Sequence, residues 1–159
     1  METFDVRQIV TLATKIEENG YRFYTYMAER LDNDAVKKLF AFLADEERNH
    51  RRTFEGMLAK LRDRKPVETL PTEYFEYLQT YTDSSIFQQE MSTQEMEQFA
   101  DVPAALKYSI DREADSILYY HEIKNFLPDS EHRIIDTIIE EERRHYVKLS
   151  ELAKTMTTS

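Results

Sequence analysis

An all-α four-helix bundle, built as two antiparallel hairpins joined by a long crossover, is the fold class this sequence predicts. Three observations lead there: only two glycines and four prolines occur in 159 residues, apolar residues recur at three-to-four spacing along four long segments, and period-two alternation of useful length is absent. The length fits one domain, placed at residues 1–157, and a hydrophobic content of 41% supplies one core.

The first helix is predicted over 5–31 and the second over 33–64, parted by the turn-forming string Asp32-Asn33-Asp34. They make the hairpin 5–64. The third starts at Asp101-Val102-Pro103, where proline suits a first helical turn, and the fourth follows Pro128-Asp129-Ser130 and fades near Met156. These make the hairpin 101–156, with residues 155–159 expected to fray. The crossover 65–100 opens with Lys65-Pro66 and contains Leu70-Pro71, and its Ser92-to-Glu95 spacing suits the start of a short helix. Its aromatic string, Tyr74, Phe75, Tyr77 and Tyr81, is expected to pin it to the bundle; the surface of a homodimer is the alternative use.

A formal charge of −10 without any Lys/Arg cluster argues against nucleic acid or an anionic membrane surface as partner, and small cations are the more natural guests. The amino-terminal METFDVRQIV lacks a basic segment followed by an apolar core, and no stretch reaches the roughly 18 apolar residues of a membrane span, so a cytoplasmic location is the expectation. With no cysteine, thiolate-bound metal is excluded, and any ion must rest on Asp, Glu and the four histidines.

The apolar stripes are interrupted by ionisable residues at matching places. Helix one presents Val10, Ala13, Glu17, Gly20, Tyr24, Met27 and Leu31; helix two presents Val36, Phe40, Leu43, Glu47, His50, Phe54, Met57 and Leu61. Helix three presents Leu106, Ile110, Glu113, Ile117, Tyr120, Ile123 and Leu127; helix four presents Ile135, Ile138, Glu142, His145, Leu149, Leu152 and Met156. In an antiparallel hairpin, residues equally far from the turn share a height. Glu17 and Glu47 each lie 15 positions from Asp32, while Glu113 lies 14 before Leu127 and Glu142 lies 14 after Pro128. At 1.5 Å per residue the second pair sits roughly 21 Å from its turn, so all four carboxylates can meet in one layer.

Each hairpin adds a histidine one turn beyond its second glutamate, in Glu46-Glu47-Arg48-Asn49-His50 and in Glu141-Glu142-Arg143-Arg144-His145. Glu47 to Glu142 and His50 to His145 both span 95 positions, and Glu17 to Glu113 and Tyr24 to Tyr120 both span 96, which is the mark of a duplicated hairpin. An unpaired buried carboxylate costs several kcal/mol, and four of them around two divalent cations nearly cancel. Glu47 and His50, three residues apart, project from one helical face, as do Glu142 and His145. A lone Glu-x-x-His is ordinarily a solvated surface pair. Two copies on apolar stripes, each matched by a further Glu at the same height, instead favour a dinuclear metal site, against the alternative of a buried network of protonated Glu and His.

Around these six, Tyr24 and Tyr120 read either as core aromatics or as hydrogen-bonding, proton-carrying or redox partners of the ligands. Glu46 and Glu141 read as surface residues, with orientation of a histidine across the bundle as the other use. His121 and His132 fall off the stripes and read as solvated.

The string Glu17-Glu18-Asn19-Gly20-Tyr21-Arg22-Phe23-Tyr24, the two Glu-Glu-x-x-His strings and Glu113-x-x-Ser116 leading to Tyr119-Tyr120 resemble the ferritin-like superfamily and, within it, the di-iron domain of rubrerythrins. The resemblance spans nearly the whole chain apart from the crossover. It implies two iron ions, with Glu17 and Glu113 largely terminal, Glu47 and Glu142 bridging, and His50 and His145 each on one ion; manganese or zinc can use the same donors. It also implies an oxidoreductase that passes two electrons to hydrogen peroxide or dioxygen, with ferroxidase or iron handling and a metal-stabilised structural bundle as the alternatives. Two departures bear on this. Rubrerythrins proper carry a cysteine-bound rubredoxin domain, so this chain would need an external donor such as a rubredoxin-like protein. They often carry a further glutamate one turn after the helix-three ligand, where this chain has Ser116, which implies a six-ligand site.

Overall fold

Asn33 starts the second helix as the turn string predicts: its side chain accepts a hydrogen bond from the Val36 N–H at 3.1 Å, a cap worth about 1 kcal/mol. In the computed structural model, which describes residues 3–4, 6–62, 68–69, 73–74, 76–78, 80 and 91–157, this cap separates α1 (Val6–Arg30) from α2 (Asp34–Leu61). Asp101 caps α3 (Val102–Lys124) by accepting from the Ala104 N–H at 2.8 Å, with Pro103 inside the first turn where its missing N–H costs nothing. Then α4 (Asp129–Thr157) returns alongside it.

Two apolar clusters show how the hairpins are arranged. One contains Val10, Met57 and Leu61 from the open end of the first hairpin together with Ile123, Leu127 and Ile135 from the turn of the second. The other contains Met27, Leu31 and Val36 from the first turn together with Ala105, Leu106 and Leu149 from the open end of the second. The two turns therefore lie at opposite ends of the bundle. Since α2 finishes in one cluster and α3 starts in the other, the crossover must travel the length of the bundle, about 40 Å for a helix of this size, which is why it is long.

Within the crossover, Ser92 caps a one-turn helix (Thr93–Met96) by accepting from the Glu95 N–H at 3.1 Å, as the Ser-to-Glu spacing predicts, and a 3-10 turn (Glu97–Phe99) follows. Tyr74 is half-buried, packs on Phe126 at 5.4 Å and donates to Glu122 at 2.5 Å, whereas Tyr77 is half-exposed and the buried anchor beside it is Leu78. Phe75 and Tyr81 lie outside the described residues.

Two features differ from the sequence expectation. A two-residue strand β1 (Thr3–Phe4) pairs antiparallel with β2 (Glu68–Thr69), a ladder too short to leave any alternation in the sequence. Helix α4 continues to Thr157 where fraying is expected from 155, because Leu152 and Met156 continue the apolar stripe onto the core and the Met156 sulfur accepts from Asn33 Nδ2 at 3.8 Å; residues 158 and 159 lie outside the described residues. Among the described residues, no helix is long and apolar enough to cross a membrane.

Candidate metal centre

Between the two apolar clusters lies a polar layer, and the helical sequence order puts the ionisable residues into it. On α1, Glu17 falls between Ile16 of one cluster and Phe23 of the other; on α2, Glu47 and His50 fall between Ala44 and Phe54. On α3, Glu113 falls between Tyr108 and Tyr119, and on α4, Glu142 and His145 fall between Ile139 and Leu149. All six are buried, none more than 3% exposed.

The structure brings these six together as two overlapping donor groups. Glu17, Glu47, His50 and Glu142 offer ligand atoms within 4.8 Å of one another, and so do Glu47, Glu113, Glu142 and His145. Glu47 and Glu142 belong to both. Glu142 faces both groups: its Oε1 lies 2.8 Å from His50 Nδ1 and its Oε2 lies 3.9 Å from His145 Nδ1. The two imidazole rings stack at 5.9 Å.

The donor set fits a pair of divalent cations, and the test is which buried atoms lack an aligned hydrogen bond. Glu17 Oε2, His50 Nδ1, Glu113 Oε2, both oxygens of Glu142 and His145 Nδ1 are buried without one and crowd against one another, His50 Nδ1 and Glu142 Oε1 at 2.8 Å, although buried polar atoms are normally satisfied. These orphans belong to five of the six residues and converge on the same layer. Oxygen and imidazole donors in this mixture suit iron, manganese or zinc.

Each histidine turns its other nitrogen outward to a carboxylate from the facing hairpin. His50 Nε2 lies 2.6 Å from Glu141 Oε2, and His145 Nε2 lies 3.7 Å from Glu46 Oε2, with Glu46 and Glu141 half-buried at the bundle surface. At hydrogen-bond distance, Glu141 favours the Nε2–H tautomer of His50 and leaves its Nδ1 lone pair for a metal, while Glu46 stands just beyond that distance from His145. Glu46 and Glu141 thus sit at the surface and contact the histidines across the bundle as well. Glu46, His50 and Glu141 form a third donor group, half-open to solvent.

The tyrosines also reach across. Tyr24 donates to Glu113 Oε1 at 2.6 Å and Tyr120 donates to Glu17 Oε1, each to the first glutamate of the opposite hairpin. Burial pushes both hydroxyls well above the usual tyrosine range, so they remain proton donors. They also pack as core aromatics, Tyr24 on Phe40 and Tyr120 on Phe54, each at 5.2 Å. His121 is exposed beside Arg143, and His132 is half-buried with Nε2 3.0 Å from the Leu127 carbonyl; neither joins the centre. Ser116 is buried and donates to the Arg112 carbonyl at 3.1 Å, so no carboxylate occupies that turn.

Sequence reasoning missed the most consequential neighbour. Arg112 is 1% exposed, and its guanidinium grips both oxygens of Glu47, Nη1 to Oε1 at 3.1 Å and Nη2 to Oε2 at 3.2 Å. Nη2 also donates to the Ile16 carbonyl at 2.9 Å, and Nη1 lies 3.7 Å from Glu113 Oε1. Gly20 makes the space: a Cβ there would stand 1.9 Å from Arg112 Nη2. The signal available in the sequence was that glycine, set inside a helix on the core stripe, where it costs about 1 kcal/mol relative to alanine without a packing reason.

Protonation follows from this crowding. Burial, then the Glu142 charge, pushes Glu113 up to about 7. Burial also raises Glu47, against the pull of Arg112. Glu142 is held ionised: burial and Glu47 work against it, and its contacts with Glu113, His145 and His50 outweigh them. Burial alone would lower both histidines, but Glu113 and Glu142 carry His145 up to about 11, and Glu17 with Glu141 and Glu142 raises His50 well above the ordinary range. Protons and Arg112 thus balance the carboxylates here, and divalent cations would replace those protons.

A four-helix bundle with paired Glu-x-x-His motifs and two more glutamates facing one core is a ferritin-like protein, the class that fold and site define. The rubrerythrin family model matches residues 8–153, so the chain belongs to the rubrerythrin family. Among solved structures, it is similar to a Thermotoga maritima protein assigned as a ferritin-like diiron-carboxylate protein, with 27% identity, a TM-score of 0.72 and 97% of each chain covered. It also shares its fold with a hypothetical protein from Pyrococcus furiosus, at 17% identity and a TM-score of 0.67, over 95% of this chain and 89% of that one. No curated protein matches it significantly.

Proposed function

We propose that the chain is a di-iron oxidoreductase that reduces hydrogen peroxide, or dioxygen, with electrons from an external donor such as a rubredoxin-like protein. The observation that carries this is the pair of buried donor groups sharing Glu47 and Glu142. Two ferrous ions held there would supply one electron each to an O–O bond. The chain's own residues provide the setting. Glu17 and His50 would hold one ion and Glu113 and His145 the other, while the apolar clusters on either side exclude bulk water. Tyr24 and Tyr120 keep hydroxyl protons at Glu113 and Glu17, where proton delivery to reduced oxygen would start.

The half-open group of Glu46, His50 and Glu141 favours a second reading, iron handling, since it gives a cation a stepping place between solvent and the centre. Stopped-flow absorbance of the anaerobically reduced protein separates the two. Faster single-turnover oxidation by peroxide than by dioxygen, with iron retained and further turnover dependent on an added electron carrier, supports the peroxidase. Faster reaction with dioxygen, or release of ferric product, supports the ferroxidase.

A further inference from the structure

The duplicated hairpins make the centre nearly two-fold symmetric, and one residue breaks that symmetry. The 96-residue offset that takes Glu17 to Glu113 takes Ile16 to Arg112 and Gly20 to Ser116. An apolar side chain on one hairpin is thus matched by a permanent cation on the other, seated in the space its counterpart helix leaves at Gly20. The two carboxylates common to both donor groups are consequently unlike. Both oxygens of Glu47 are held by the guanidinium, while the oxygens of Glu142 face the imidazoles of His50 and His145 instead. Guanidinium is always charged, matches a carboxylate bidentately and cannot be discharged by a proton leaving.

We propose that Arg112 is a resident third cation of the dinuclear centre, which occupies Glu47 in the metal-free chain and makes the two metal-binding steps unequal. The inference rests on the dinuclear reading. The first ion can be met by Glu142 and one Glu–His set with Glu47 still on Arg112. The second ion needs the remaining set and a share of Glu47, so it must compete with the guanidinium and sit close to its charge. With two divalent ions, four carboxylates and Arg112, the filled layer carries one net positive charge, whereas without Arg112 it would be neutral. Even at an effective dielectric of about 20, a unit charge several ångströms from a divalent ion changes its affinity by more than about tenfold. Arg112 is a positioning residue in this account, since it acts on the ions through Glu47.

Anaerobic titration of the full chain with cobalt(II), read by its ligand-field absorption and by chelator competition, tests this without any turnover. The wild-type chain should bind two ions in distinct steps. Arg112→Met, similar in length and uncharged, should tighten the weaker step at least tenfold and lower the melting temperature of the metal-free protein. Should Arg112→Met fold only with metal present, Gly20→Ala reads the same effect, since its Cβ evicts the guanidinium while favouring the helix; it too should tighten the weaker step. Equal steps in the wild type, or an unchanged or weaker second step in either variant, overturns the role of Arg112 and leaves the dinuclear reading standing. Binding of fewer than two ions by the wild type overturns both.

Discussion

The metal-free protein should lose stability steeply as the pH rises from about 7 to 9. His145 is held up to about 11 by Glu113 and Glu142, and His50 is raised by Glu17, Glu141 and Glu142, against an ordinary histidine value of 6.5. Between the ordinary and the raised value the folded chain binds a proton that the unfolded chain has lost, so the free energy of unfolding falls with pH. The stabilisation is complete below about 6.5 and is lost as the pH climbs through the folded value. Each such proton contributes a slope of about 1.4 kcal/mol per pH unit, so His145 alone removes about 2.7 kcal/mol over two units, a large share of the stability of many domains, and His50 adds in the same direction. Glu113, raised to about 7, adds the same sign between about 4.5 and 7. Metal needs both Nδ1 lone pairs, so loading should expel about two protons near neutrality and remove the slope. Thermal melts of metal-free and manganese-loaded protein across this range, with calorimetric titrations in buffers of different ionisation enthalpy, measure both effects. His145→Gln should lower the slope by about 1.4 kcal/mol per pH unit. A metal-free melting temperature that is flat or rising from pH 7 to 9, or binding heats independent of the buffer, would refute the reasoning.

Glu142→Ala should abolish two-ion binding by removing the carboxylate with one oxygen toward each histidine, whereas Glu18→Ala, which only breaks the surface pair with Arg51, should shift stability by less than about 1 kcal/mol; metal analysis and melting compare them. Glu141→Gln should weaken metal binding roughly 10- to 100-fold by loosening the orientation of His50, read by chelator competition, with little change in the fold. Tyr119→Phe should destabilise by about 1 kcal/mol through loss of the 3.0 Å hydrogen bond to the Ile9 carbonyl, measured by denaturant unfolding, with metal stoichiometry unchanged.

The bundle and its six convergent side chains were readable because they repeat. Stripes at helical spacing, caps at Asn33 and Asp101, and paired Glu-x-x-His strings each carry a period or an offset that one sequence displays. What escaped lacks a period. Arg112 lies one position from Glu113, beside the stripe used to read α3, on a second buried row with Ala105, Ser109, Ser116 and Tyr119. That row is buried because α3 packs its flank on α1, where Phe23 meets Tyr108 at 4.4 Å and Ile9 and Ile16 present carbonyls to Tyr119 and Arg112. A charged residue on such a row reads as solvent-facing until its partner across the bundle is known. The two-residue ladder between β1 and β2 escaped for the same reason, being defined by proximity alone. Glu46 and Glu141 were ambiguous because a surface carboxylate differs from one gripping a histidine only by which hairpin lies opposite.

Iron bound per chain at saturation in an anaerobic ferrous titration, read by equilibrium dialysis, tests the central claim most directly. Two overlapping donor groups sharing Glu47 and Glu142 predict two ferrous ions per chain at saturation, and fewer than two in Glu142→Ala. One ion or none in the wild-type chain, or two ions retained when Glu142 is gone, would contradict it.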